Sequence, residues 1–139
     1  LDLDHFKRIN DAHGHLAGDE VLCQVAAILQ EHAGHDGIAV RWGGEEFMLV
    51  LPAESVPQPA EFLERLRRRI AAQAFDLSSG GHVRLTTSLG FAEYPALADG
   101  SDLSDWNLAI EMADAGLYAI KTSGRDGWAA ITARANTQA

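Results

Sequence analysis

The chain has 139 residues, 47% of them hydrophobic, which suits one globular domain with a real core and excludes a disordered chain. Its net charge of −9 repels nucleic acid and anionic membrane, so neither is expected as a partner of this segment, and a polyphosphate ligand would need a local cation. The single cysteine, Cys23, excludes an internal disulfide and most zinc sites and fits a reducing compartment; no apolar run reaches membrane-spanning length.

LDLDHF, Leu1 to Phe6, opens abruptly, with leucines and acids alternating. That predicts the end of a strand whose beginning is missing, and the chain reads as a fragment of a longer protein. KRINDAHGHLAGDE is polar with two glycines, which predicts a loop or a broken helix. From about Ala17 to His32, apolar residues recur at Val21, Leu22, Val25, Ile28 and Leu29, at helical spacing. Cys23 lies in that pattern and is expected to be a buried structural thiol. Gly34 and Gly37 end the helix. GIAVRW and EFMLVL flank Gly43 and Gly44, giving a hairpin. Pro52, Pro57 and Pro59 mark a loop. A second amphipathic helix is expected over residues 60–74, with Phe62, Leu63, Leu66 and Ile70 inward. After the turn SSGG, HVRLTTSLGFAEY reads as a strand. Ser104 is the expected N-cap of a third helix running to about Thr122. WAAIT is a last short strand, and the tail ARANTQA is expected to fray. Strands and helices that interleave around one antiparallel hairpin predict an α+β fold, a sheet with helices packed on it.

Four stretches are candidates for chemistry. Asp2 and Asp4 lie two apart, so on a strand they share one face while Leu3 points into the core. Two such acids suit a hard cation such as Mg²⁺, and equally an ordinary polar strand end, the commoner meaning of so short a pattern. In RWGGEEF the glycines permit positive φ and close approach of a ligand. Glu45 then sits at the tip and Glu46 starts the outgoing strand. A solvated turn explains this as well as a functional tip does. If the LDLD strand lies beside the hairpin, three or four carboxylates converge, and convergent acids repel unless a cation sits among them. Lys121 and Arg125, in KTSGRDG, fall at the end of the last helix, where the helix dipole alone favours cations. They can also clamp a phosphate tail. Asn10 and Asp19 together match the hydrogen-bonding edge of guanine, although Asp19 is also an ordinary helix-start acid. His13 and His15 form an HxH that no cysteine pair supports as a zinc site. The arginines of ERLRRRI, at 65, 67, 68 and 69, read as a solvated helix face.

Each stretch alone is weak; their co-occurrence is not. D-x-D-H-F-K-x-I-N-D-x-x-G-H-x-x-G-D, then R-W-G-G-E-E-F, then T-T-S-L-G, then ADAGLYAIKTSGRDG, together resemble the GGDEF family of diguanylate cyclases from Leu1 to about Trp128. The resemblance implies a nucleotidyl-cyclase-like fold, related to ferredoxin-like palm domains. Its central sheet is mostly antiparallel, flanked by helices, with a hairpin carrying GGEEF. It implies a domain over residues 1–129 whose start is missing, with residues 130–139 the end of the last strand and the tail. The implied reaction condenses two GTP into cyclic di-GMP and two pyrophosphates across a homodimer of domains. Asp2 and Glu45, with the Leu3 carbonyl, would ligate Mg²⁺ or Mn²⁺. Glu46 would aid metal binding or deprotonation of the 3′-hydroxyl, and is paired with Glu45 as catalytic. Phe6 (through its backbone), Lys7, Lys121 and Arg125 would hold phosphates. Asn10 and Asp19 would read guanine, with His15 lining that pocket. The implied location is cytoplasmic, with an upstream sensory or regulatory region that can anchor the parent protein to a membrane. The alternative is an inactive member that binds GTP or a protein partner; a third reading is a related cyclase with a mixed purine product, against which Asp19 argues.

Two departures matter. The family's first helix and most of its first strand would precede Leu1, so the isolated stretch is expected to fold poorly and to show little activity. Many members also carry an inhibitory product site, RxxD, shortly before the GG motif. Gly34 and Gly37 stand at those positions here. An active form of this protein is therefore expected to keep its rate in micromolar cyclic di-GMP. Strong inhibition in a product-titration assay would overturn that expectation.

Overall fold

The computed structural model describes residues 1–97, 99–101 and 105–132. β1 (Asp2–Leu3) leads into α1 (Phe6–His13) and α2 (His15–Ala33). The hairpin β2 (Ile38–Arg41) and β3 (Phe47–Val50) follows, then a 3-10 turn (Ala53–Ser55) and α3 (Pro59–Ala72). A short hairpin, β4 (Phe75–Asp76) and β5 (His82–Val83), precedes β6 (Thr87–Ala92), α4 (Asn107–Thr122) and β7 (Gly127–Ile131).

β6 lies between β1 and β7, antiparallel to the first and parallel to the second. An Asp2–Glu46 bridge sets the β2–β3 hairpin against the other edge of β1. Around it the Leu3 N–H donates to the Glu45 carbonyl (3.1 Å) and the Phe47 N–H to the Leu1 carbonyl (2.9 Å). The ladder thus runs β2-β3-β1-β6-β7, antiparallel at every junction but the last. This is the mostly antiparallel α+β sheet that the sequence predicts.

α2 buries Val21, Leu22, Val25, Ile28 and Leu29, and α3 buries Phe62, Leu63, Leu66 and Ile70. Both stripes join Leu3, Phe47, Phe75 and Leu89 in one core on one face of the sheet. Neither helix has a side-chain cap, so packing holds them, at about 1.5–3 kcal/mol for each large apolar side chain fully buried. α4 lies against β6 and β7 on the other face. Strand alternation then turns Leu3 into the core and Asp2 toward α4.

The polar stretch after β1 is the broken helix of the two alternatives, α1 parting from α2 at Gly14, whose φ is 88°. Several boundaries differ from expectation. HVRLTTSLGFAEY is not one strand. Its start pairs back with β4 and its remainder pairs with β1 and β7, so the two parts serve different partners. Two-residue strands such as β4 carry no periodicity for a sequence reading to detect. α4 starts at Asn107, whose N–H is taken by the Asp105 carboxylate (2.9 Å). The expected cap Ser104 and the tail at 133–139 lie outside the described residues. Cys23 is exposed, not buried. One residue past Leu22 is a 100° turn of the helix, which carries its side chain off the apolar stripe.

One polar group is buried where the strands meet. The Asp4 carboxylate, 3% exposed, accepts from Thr86 Oγ1 (2.6 Å), Ser88 Oγ (2.7 Å) and the Asp126 N–H (3.0 Å). Thr87 Oγ1 donates to the Asp2 carbonyl (2.8 Å). The TTS run is therefore spent on holding β1. Asp4→Ala would strand two hydroxyls and an amide, each costing about 1–3 kcal/mol when left unpaired. It is expected to cost about 3 kcal/mol or more in a urea melt, against about 1 kcal/mol for Thr86→Val. Equal, small losses from both would show that the three-way contact is not a determinant of stability.

Candidate functional site

The site is built around the hairpin tip. The last β2–β3 pair is Arg41 with Phe47, so the turn runs from Trp42 to Glu46. Arg41 holds it from below: its Nε donates to the Gly43 and Gly44 carbonyls (3.2 and 3.1 Å) and its Nη2 to the Gly44 carbonyl (2.8 Å). The Trp42 and Gly43 N–H groups both donate to the Glu46 carbonyl (2.8 and 3.2 Å). Neither tip glycine takes the positive φ that glycine permits. What the glycines provide is room. A Cβ on Gly44 would meet nothing within 4 Å, and one on Gly43 would press on Glu46 Oε2 at 3.0 Å.

The bridge between Asp2 and Glu46 brings the tip acids to the strand end. Asp2 is 5% exposed, and its Oδ2 accepts from Lys121 Nζ at 3.1 Å. Burial, and then the charge of Asp2, push the Glu45 carboxyl above its ordinary pKa; Lys121 opposes this and Glu46 adds to it. The Glu45 carboxyl is thus in a setting short of positive charge. Leu3 N–H points toward Glu45, and in a strand the carbonyl of the same residue points the same way. Among the described residues, no group of three or more His, Cys, Asp and Glu side chains is placed to hold a metal. A cation here would rest on the Asp2 and Glu45 carboxylates and complete its shell with a carbonyl and ligand oxygens. Mg²⁺ binds in that manner beside phosphates. Asp4 takes no part, since its oxygens are engaged by Thr86, Ser88 and Asp126.

The other candidates surround this point. Phe6 starts α1 with its ring in the core, and Lys7 follows, paired with Asp11 (2.7 Å) in an exposed contact of the kind worth little. Asn10 Oδ1 is buried without a hydrogen-bond partner and lies 1.8 Å from where a Cβ on Gly18 would stand, so only glycine at 18 accepts this amide. Asp19, next along α2, lines a groove of about 560 Å³ with Leu22, Cys23, Ala39, Arg41 and Phe47. His15 is exposed on the first turn of α2 and does not line that groove. Lys121 ends α4 on Asp2; Arg125 is exposed in the loop beyond, at a left-handed φ of 65°. At the positions of the absent RxxD site, Gly34 caps α2 at φ 70°, and a Cβ on Gly37 would stand 2.2 Å from the Ala33 carbonyl. An aspartate at 37 does not fit this backbone.

Sequence reasoning passed over Arg41 and the role of Asp4. Both stood inside motifs already in view, RWGGEEF and DxD, but a tertiary hydrogen bond has no signature in spacing. It also read the arginines of α3 as a solvated face, which holds for Arg68, 74% exposed though in reach of Glu64 (2.6 Å), but not for Arg67, which is 18% exposed and binds both Glu64 (2.8 Å) and Asp126 (2.6 Å).

Fold and site together define the class: an α+β domain that presents a glycine-flanked acidic hairpin to a strand end. The family profile described as "Diguanylate cyclase, GGDEF domain" matches residues 1–127, and the chain belongs to the GGDEF domain family. It is similar to diguanylate cyclase DgcP of Pseudomonas aeruginosa, 42% identical over 91% of this chain and 18% of that protein. It is also similar to diguanylate cyclase A of Treponema denticola, 35% identical over 91% of this chain and 32% of that protein. The chain thus spans between about a fifth and a third of these curated relatives. Among solved structures, the GGDEF domain of DgcB from Caulobacter crescentus in complex with c-di-GMP has a TM-score of 0.78 at 35% identity, covering 93% of this chain and 73% of that one. The active GGEEF domain of a diguanylate cyclase from Vibrio cholerae has a TM-score of 0.72 at 31% identity, covering 96% of this chain and 80% of that one.

The raised Glu45 pKa carries a sign. Ionised Glu45 costs the folded state; the cost is absent below the ordinary value of 4.5 and complete above the raised one. Without divalent metal, Glu45→Gln is therefore expected to stabilise the domain at neutral pH, by about 0.5–1 kcal/mol. The advantage should fade as pH falls toward 4.5, as thermal melts across pH would record. A variant that melts lower than the parent at neutral pH would contradict the charge crowding.

Proposed function

We propose that this domain condenses two GTP molecules into cyclic di-GMP and two pyrophosphates, in the cytoplasm, as the output end of a longer protein with an upstream sensory or regulatory region. The observation that carries the reading is the Asp2–Glu46 backbone bridge, which lays the strand end with buried Asp2, paired to Lys121, alongside the acidic hairpin tip. Asp2, Glu45 and the Leu3 carbonyl would hold Mg²⁺ or Mn²⁺ there. When bound, the cation neutralises phosphate charge and lowers the pKa of the attacking hydroxyl.

The 3′-oxygen of one GTP attacks the α-phosphorus of the other. The new P–O bond forms as the α–β bridging bond breaks, and pyrophosphate leaves. Glu46 takes the hydroxyl proton. A second, equivalent step closes the ring. Lys121 pairs with Asp2 (3.1 Å) and, from the end of α4, would contact the phosphates of a bound nucleotide. Arg125, Lys7 and the backbone at Phe6, a helix start with unpaired amides, hold the rest of the phosphate tail. Asn10 and Asp19 read guanine, beside His15. The orphaned Asn10 amide oxygen supports this, since a buried polar atom without a partner is costly unless a ligand supplies one. Each domain holds one GTP, so two domains meet face to face about a two-fold axis. Positioning and charge supply most of the rate.

The test uses the full-length parent protein with Mg²⁺ and labelled GTP, beside Glu45→Ala, with nucleotides resolved by chromatography. Cyclic di-GMP from the parent, falling about 10³-fold in the variant, supports the reading. Bound GTP with no product from either protein would replace it with a GTP-binding module that acts through a protein partner.

A further inference from the structure

The loop after α4 is held in an unusual backbone. Arg125 and the next residue, Asp126, both lie in the left-handed region, at φ 65° and 47°. Two successive non-glycine residues there are disfavoured, and such a conformation persists only where its surroundings impose it. Its two amides are already spent: the Arg125 N–H on the Ile120 carbonyl (2.9 Å) and the Asp126 N–H on Asp4 (3.0 Å). The loop is therefore not itself an anion-binding nest; it is a mount for the Arg125 side chain.

The second hold on this mount comes from α3, far away in sequence. Arg67 Nη1 donates to Asp126 Oδ1 at 2.6 Å. Its Nε and Nη2 donate to the two Glu64 oxygens (2.9 and 2.8 Å), which fixes the guanidinium plane. Glu64 is fixed in turn by Arg68 (2.6 Å) and by Trp128 Nε1 (3.1 Å) on β7. Hydrogen bonds from Arg67 and then Arg68 hold its carboxyl at a pKa of about 2, so it stays ionised at neutral pH. Arg67 is only 18% exposed, whereas Arg68 beside it, which also reaches Glu64, is 74% exposed.

We infer that Arg67 is a positioning residue for nucleotide binding: through Asp126 it keeps Arg125 in the conformation that meets the phosphate tail. This rests on the proposed role of Arg125 as a phosphate ligand. It makes α3 a route by which a contact on that helix reaches the nucleotide site, with no contact to the nucleotide itself.

The test uses the full-length protein, Arg67→Ala, Asp126→Ala, Arg125→Ala and the pairwise combinations. Hydrogen exchange reads the loop without any nucleotide. Arg67→Ala is expected to expose the Asp126 amide at least 10-fold faster while the melting curve barely moves. Unchanged exchange would overturn the clamp whatever the protein binds. Affinity is read with 3′-deoxy-GTP and Mg²⁺, which cannot turn over. Arg67→Ala and Asp126→Ala should each weaken it about 10-fold, and either combined with Arg125→Ala should be no worse than Arg125→Ala alone. Additive losses, or parent-like affinity in Arg67→Ala, would overturn the positioning role. A parent that does not bind 3′-deoxy-GTP would instead remove the nucleotide reading, and this inference with it, even where exchange confirms the clamp.

Discussion

Asp2, the candidate cation ligand, stands near the start of the chain, and Arg125, the candidate phosphate ligand, near its end. The buried carboxylate that joins them is Asp4. It takes hydroxyls from Thr86 and Ser88 and the amide of Asp126, so the end of β1, the start of β6 and the loop before β7 share one fixed point. A charge this deeply buried is tolerated only when its oxygens are satisfied, and here the donors come from two separate stretches. Everything proposed for the site depends on that constraint. Without it, β1 would keep Leu3 in the core but would lose its tie to the loop that carries Arg125.

The electrostatics of the site run against those of the molecule. The chain carries a net charge of −9, and its tip adds acids beside an acid that is already buried. The pKa of Glu45 rises because of it. Among the described residues Lys121 pairs with Asp2 alone, and its charge only partly offsets the crowding at Glu45. Gathering like charges costs stability, the kind of trade that recurs where a protein keeps a functional group in an unfavourable setting.

Much of the architecture was legible in advance. α2 and α3 announced themselves through apolar residues at helical spacing, because a helix held by packing must carry its stripe in the sequence. The β2–β3 hairpin announced itself through two apolar runs about a glycine pair. Legibility failed where position depends on a partner distant in the chain. The β4–β5 hairpin and the break at Arg84–Thr86 follow from what each segment packs against. Arg67 looked like part of a solvated arginine run, and only the approach of Asp126 makes it different from its neighbours.

By itself the sequence determined the kinds of groups available: acids at a glycine tip, acids at a strand end, an amide and an acid near a helix break, cations after the last helix. Those follow from residue type and local periodicity, and they sufficed to identify the family. Tertiary structure alone decided which of them meet. Asp2 joins Glu45 and Glu46, while Asp4, two residues away on the same strand end, is withdrawn into the scaffold. The reason is physical: a carboxylate becomes a ligand or a scaffold according to the donors that reach it. Those donors, Lys121 for one and Thr86, Ser88 and Asp126 for the other, are delivered by the pairing of β1 with β6 and by the packing of α4.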